Sequence, residues 1–411
     1  MQFKKAIKAT ILFNGLVYLR YLYFRYIEKK DYKPFKTHKN TKLVKIGSGI
    51  NFFGYYNLTP VNSRGYILYL TVSKEKIRGS LTEEASIMLL KASEKKALKL
   101  GNTKAWNWQQ GCMLQWFPGK DDVILFNDYD ETKDQYISKV VDLNKKLIRT
   151  YPKAVNNVSK CGRYALCLNY GRLAKMRPTY GYFNKKQYEL PPDNKDGIWH
   201  MDMLKGTTNL IISLEQLKHI SYSTTMDDAM HKVNHIDINF SGDRFMFLHR
   251  WVGPKGRFMR LVTANPDGSE IFIMNGDKMT SHCCWLNDYE ILSYCSYAGE
   301  TGYFKFTDKG KKAASLIGKM PSVDGHPSVS PDKKNVITDT YPDKSRMSSL
   351  FLFNLKNNNL KKIGRFYQPL RYKGEKRIDL HPKWSQDGKS VFFESGHGGK
   401  RQLYQISLNR S

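Results

Sequence analysis

SPDKKNVITD (residues 330–339) and SQDGKSVFFES (385–395) share one design: a Ser, a polar turn holding Asp or Gly, then a hydrophobic strand. Working outward, five more segments follow the turn-then-strand pattern: NSRGYILYL (62–70), FPGKDDVILF (117–126), SKCGRYALCL (159–168), FSGDRFMFLH (240–249) and LNDYEILSYC (286–295). With Gly65, Gly119, Gly162, Gly242, Asp288, Asp332 and Gly388 as anchors, the intervals are 54, 43, 80, 46, 44 and 56 residues. A period of roughly 40–50 residues, with several short strands per unit, is the mark of a propeller blade. The expected fold is therefore all-β: a seven-bladed β-propeller over residues 41–411, preceded by a short basic amphipathic N-terminal helix within residues 1–40. The last unit, ending in LYQISLNRS, is one strand short. A strand near 42–46 is expected to complete it, because closing the ring removes free sheet edges.

Composition supports this reading. Of 411 residues, 41% are hydrophobic and 13% aromatic, with 26 Tyr and 21 Phe, residue types that favour strands. The net charge of +30 points to an anionic partner: nucleic acid, anionic lipid or an acidic polymer. Lys and Arg are spread through the blades with no dense run, so no specific nucleic-acid partner is expected. The alternative is a solvated basic surface. Residues 1–50 hold twelve Lys or Arg against Glu28 and Asp31. On a helix, Leu12, Leu16, Leu19, Tyr23 and Tyr26 share one face flanked by basic residues, as in a helix lying on an anionic membrane surface. A helix packed on the propeller and a cleaved export signal are the alternatives. The six cysteines show no CxxC pair and read as buried free thiols of a reducing compartment. Together these features lead us to expect a cytoplasmic protein peripheral to the inner membrane, with export as the alternative. No Walker loop, GxSxG elbow or HExxH motif is present, which weighs against nucleotide-dependent and common hydrolase chemistry.

Four of the ten histidines stand at equivalent places: His235, His282, His326 and His381 each precede a blade turn by four to six residues. Such positions end inner strands beside the channel mouth, where imidazoles can hold a divalent metal or serve as acid and base. Repeat-derived histidines that bond neighbouring backbone are the plainer alternative. The long third interval contains RLAKMRPTYGYFNKKQYELPPDNKDGIW (172–199), whose aromatic content suits a rim loop or lid.

The ordered set FFGYYNLTP, AWNWQQGCMLQWFPG, FLHRW, HPSVSPD, DLHPKWSQDGKSVFFES and GHGGKRQLY resembles the oligogalacturonate lyase group of seven-bladed propellers. Closer still are lyase-like propellers encoded beside capsule and exopolysaccharide glycosyltransferase genes. The resemblance covers residues 50–411. It implies a metal held by His side chains and β-elimination of a uronate. His235 and His282 would then be acid–base or catalytic groups, and His235, His282, His326 and His381 metal ligands. Arg250, Arg257 and Arg401 would bind carboxylates, with Arg250 and Arg401 next to the chemistry. The chain departs from the lyases at Asp379, where they carry a second His; a carboxylate there would favour Mn or Ca. Trp108, Gln109, Gln110, His397 and Gln402 fit saccharide recognition, though blade packing uses the same residue types. The expected partners are an acidic glycan or glycolipid, an anionic membrane surface and glycosyltransferases. The leading expectation is binding or processing of an acidic glycan in bacterial surface-polysaccharide synthesis. A polysaccharide lyase and a protein-interaction scaffold are the alternatives.

Overall fold

Each turn recognised in the sequence joins the innermost strand of a blade to its second strand. The computed structural model describes residues 15–27, 35–38, 41–75, 83–91, 94, 96–184, 189–276, 279–310 and 313–408. Seven antiparallel sheets are arranged as a propeller. Their innermost strands are Ile50–Phe52, Gln115–Trp116, Val155–Val158, Met230–Ile238, Thr280–Trp285, Ser328–Val329 and Lys383–Trp384. Side chains alternate along each strand, so both faces of a blade meet a neighbouring blade and both are apolar. Phe245, Phe247 and Val262 of blade 4 are fully buried in one such layer, and Val391, Phe393 and Ile406 of blade 7 in another. Each side chain of this size contributes about 1.5–3 kcal/mol when buried.

The ring closes as expected. Thr41–Lys45 pairs antiparallel with Gln402–Leu408, from Thr41 opposite Leu408 to Lys45 opposite Tyr404, and becomes the outermost strand of blade 7. Phe35–Thr37 adds a fifth strand to blade 6, where the other blades have four, with Phe35 opposite Phe366. Among the described residues, propeller strands therefore begin at residue 35, within the N-terminal segment of residues 1–40. A buried ion pair bolts the closed ring. Glu394 bonds Arg401 at 3.0 Å and accepts the backbone N–H groups of Phe53 at 3.2 Å and Gly54 at 3.1 Å, tying blade 7 to blade 1.

The N-terminal helix spans residues 15–22 and runs into a π turn, Tyr23–Ile27. Tyr21 docks it: the ring is buried, stacks on Tyr367, and its hydroxyl lies 2.6 Å from that of Tyr367. Leu16, Leu19, Tyr23 and Tyr26 are exposed; Leu12 lies outside the described residues. No helix among the described residues is long and apolar enough to cross a membrane. All six cysteines are free thiols, and all are buried except Cys161.

Candidate functional site

The first strand of the chain's FFGYYN segment does not stay in its sheet. At Gly54 the backbone takes φ +135°, and a Cβ there would sit 2.5 Å from the Gln110 carbonyl oxygen, so only glycine fits. The turn sends Tyr55 and Tyr56 into the central channel. Tyr56 is held by its hydroxyl, which donates to the Cys283 carbonyl at 2.9 Å.

Around these two rings the four histidines converge. Ring centroids are 4.0 Å apart for His282–His326, 4.3 Å for His326–His381 and 5.5 Å for His235–His282. Tyr55 lies 5.2 Å from His235 and 5.5 Å from His381, and its hydroxyl bonds His235 Nδ1. Local backbone irregularity aims these rings. His235 and His381 have φ of 55° and 45°, unusual for non-glycine residues, and the strands carrying His235 and His282 shift register there. Strand bulges and left-handed residues re-aim side chains, and they cluster at functional sites.

Carboxylates behind the rings fix their orientation. His326 Nδ1 bonds Asp339 Oδ1 at 2.8 Å, and the other oxygen of Asp339 accepts the His381 backbone N–H at 3.1 Å. His282 Nδ1 bonds Asp324 Oδ1 at 3.1 Å. Burial pushes His326 toward the neutral form, but the charge of Asp339 and then its hydrogen bond outweigh this and raise its pKa. Burial, followed by the charge of His326, brings His282 down to about 4 and holds His381 well below its usual value. His235 is depressed strongly by burial and next by Arg250.

One set within the cluster has the donor types and spacing of a metal site. Ligand atoms of His326, Asp379 and His381 all lie within 4.8 Å of one another. All three residues are buried, and the Nε2 atoms of His326 and His381 have no hydrogen-bond partner. A buried, unpartnered imidazole nitrogen is costly, and a cation satisfies it. Nδ1 bonded to a carboxylate with Nε2 left open, as in His326, is also how metal-binding histidines are oriented. The residues present therefore fit a divalent ion, with Asp379 adding a hard oxygen donor suited to Mn or Ca.

Beside the cluster opens a cavity of about 690 Å³ between blade 4 and the long insertion. The insertion folds as a helix, Tyr170–Met176, and a short 3-10 turn, Pro178–Tyr180, and places Lys175, Met176 and Arg177 on the cavity wall. Tyr180 is buried against Tyr55 and His235. Arg250 and Arg257 line the cavity too, as do Lys232 and Arg377. Arg377 bonds Asp379 at 2.8 Å and so joins cavity to metal triad.

Several residues expected at the site stand elsewhere. Arg401 is committed inside the protein: to Glu394, to the Trp108 carbonyl at 3.3 Å, and to the carbonyls of Lys376 at 3.1 Å and Arg377 at 2.7 Å. Trp108 packs between Phe52 and Trp106, under the Arg401 guanidinium. His397 sits among Phe35, Phe366 and Tyr404, and Gln402 donates to the Gly49 carbonyl. These four hold the junction of blades 6, 7 and 1. Gln109 donates to the Arg377 carbonyl at 3.0 Å and, with Arg401, steadies the loop that delivers Arg377 and Asp379. Gln110 is buried, with its side-chain amide oxygen unpaired. His381 is 1% exposed and lies inside the mouth rather than on its rim.

Sequence reasoning passed over Asp324, Asp339, Tyr55, Tyr56, Arg177, Lys232 and Arg377. A local signal existed for Asp324 alone, since DGH (324–326) and DLH (379–381) share an Asp two residues before His. No family model matches the chain. Among solved structures, oligogalacturonate lyase from Vibrio parahaemolyticus superimposes with a TM-score of 0.61 over 91% of this chain and 96% of that one, at 13% identity. An oligogalacturonate lyase in complex with manganese gives 0.64 over 92% and 96%, at 14% identity. The β-propeller domain of the Trilobed protease from Pyrococcus furiosus gives 0.50 over 87% and 95%, at 13% identity. At these identities the likeness is one of fold: the chain is similar to oligogalacturonate lyase-like seven-bladed propellers.

Proposed function

We propose that the channel mouth binds an acidic glycan and processes it by β-elimination at a uronate, with a divalent ion held by His326, Asp379 and His381. The observation that carries this reading is the pair of buried, unpartnered Nε2 atoms facing a carboxylate beside a cation-lined cavity. Such an ion, when bound, supplies positive charge at the substrate carboxylate and so acidifies the adjacent C–H. Arg250 is buried at the boundary between cluster and cavity and supplies a fixed positive partner for that carboxylate. His282 is the proton acceptor: Asp324 takes its Nδ1–H, and burial keeps the ring uncharged with Nε2 available.

Incubating the metal-loaded protein with polygalacturonate and other uronate polymers, while following the ultraviolet absorbance of unsaturated uronate, tests the reaction. Product formation abolished by His282→Gln, with glycan binding retained, is expected. Tight glycan binding without product in the wild type would leave a binding role and remove the lyase step.

The setting belongs to the same reading: a cytoplasmic protein at the inner membrane, working beside glycosyltransferases on a bacterial surface polysaccharide. The exposed Leu16, Leu19, Tyr23 and Tyr26 support it, because the helix meets the propeller through Tyr21 and leaves that apolar face outward. Co-sedimentation with anionic vesicles should be lost on deletion of residues 1–30; unchanged sedimentation would make the helix a structural element only.

A further inference from the structure

The cavity beside the cluster has a charge that a uronate does not explain. Its wall carries Lys175, Arg177, Lys232, Arg250, Arg257 and Arg377, and no Asp or Glu. Among the described residues, only Arg377 of these six has an acidic partner, Asp379. Two of the others are deeply buried, Arg250 at 5% exposed and Lys232 at 4%. The Nε of Arg250 has no hydrogen-bond partner, while Lys232 donates to the Met176 carbonyl at 3.2 Å. Buried cations of one sign repel each other and lose hydration, a cost the fold carries only where an anion offsets it. The effect is visible in Lys232, brought down to about 7 by burial and then by Arg250, Arg177 and Arg257.

A carboxylate brings one charge and two acceptor oxygens, too little for five cations without acidic partners. A phosphate ester brings up to two charges and three acceptor oxygens, and matches Arg geometry equally well. Apart from Thr179 the cavity's remaining wall is apolar, with Met176, Trp251, Phe258 and Met259 among it, and its volume of about 690 Å³ exceeds what a bare phosphate fills. We propose that this cavity is a second subsite, which takes the phosphate or pyrophosphate group of a phosphorylated sugar while the sugar lies against the apolar wall. The inference rests on the acidic-glycan reading for the saccharide part of the ligand, but the anion site stands on its own residues.

The test uses full-length protein freed of metal with EDTA, so that chelation by phosphate does not intervene. Isothermal titration with glucose 1-phosphate should show saturable binding to the wild type, weakened by about tenfold in Arg257→Gln and again in Lys232→Gln, as expected for lost charge-assisted hydrogen bonds. Arg257→Lys, which keeps the charge on an exposed side chain, should recover part of the affinity. Lys361→Gln, at an exposed lysine of blade 6 outside the cavity, should bind glucose 1-phosphate as the wild type does. Titration with a uridine diphosphate sugar and with a polyprenyl-pyrophosphate sugar in detergent tells a nucleotide-linked donor from a lipid-linked one. Absence of glucose 1-phosphate binding, or equal binding by the Arg257 and Lys232 variants, overturns the subsite. A metal-loaded protein that binds trigalacturonate but no sugar phosphate would overturn this inference alone and leave the acidic-glycan reading standing.

Discussion

Asp339 is the residue on which most of the site geometry depends. Its carboxylate bonds the His326 ring and backbone N–H through one oxygen, and the His381 backbone N–H through the other. Asp339→Ala would leave these buried donors unpaired, at a cost of about 1–3 kcal/mol for each group. Urea denaturation should show a loss of at least ~2 kcal/mol; a loss under ~0.5 kcal/mol would mean that the site tolerates open donors. Lys232 offers a second test, with a defined sign. Its pKa is near 7 in the fold, against an ordinary 10.5, because burial disfavours the charge. Between those values the native state binds fewer protons than the unfolded chain, so this group's contribution to stability rises with pH. The penalty is complete below about pH 7 and absent above about pH 10.5. Thermal melts of Lys232→Met should therefore exceed wild type at pH 6 and converge with it at high pH. A constant difference across that range would contradict the burial argument.

At the level of elements, the N-terminal strands and the Glu394–Arg401 pair carry ring closure. A chain beginning at residue 35 keeps both Phe35–Thr37 and Thr41–Lys45 and should melt as the full chain does. One beginning at residue 46 exposes the edge of Gln402–Leu408 and should melt several degrees lower and aggregate, as open edges do. Equal melting of the two would show that closure is dispensable. Arg401→Met leaves the buried Glu394 with only Lys383, 3.8 Å away, as a cationic partner, and a loss of about 3 kcal/mol is expected in denaturant titrations. The closing strand was legible because the last unit lacked a strand and the ring had an edge to fill. The fifth strand was not, since FKT is too short to announce itself. Arg401 was misread for a general reason: an Arg beside a Gly-rich turn looks the same in sequence whether it awaits a carboxylate ligand or already holds Glu394. Trp108 and His397 were misread in the same way, because stacking residues and packing residues are the same residues.

Across the whole molecule, the blade period and the shared placement of four rare histidines before the blade turns pointed to one end of the channel, and the four rings do come together. The partners of those histidines lay out of reach. Asp339 reaches His326 through the register of Ser328 with Ile337, a tertiary relation thirteen residues long that no local pattern marks. Nothing local marks Tyr55 and Tyr56 either, and only the close approach of Gly54 to Gln110 shows why they enter the channel. The cationic cavity was invisible for the same reason: Lys175 and Arg177 come from an insertion, Lys232, Arg250 and Arg257 from blade 4, and Arg377 from the loop before blade 7. The proposed metal centre at this mouth is formed by His326, Asp379 and His381. Elemental analysis of the full-length protein after equilibration with Mn and removal of unbound ion measures it directly. One Mn per chain is expected in the wild type, and none in His326→Gln or His381→Gln variants whose circular dichroism matches wild type. No bound metal in the wild type, or full occupancy in both variants, would contradict it.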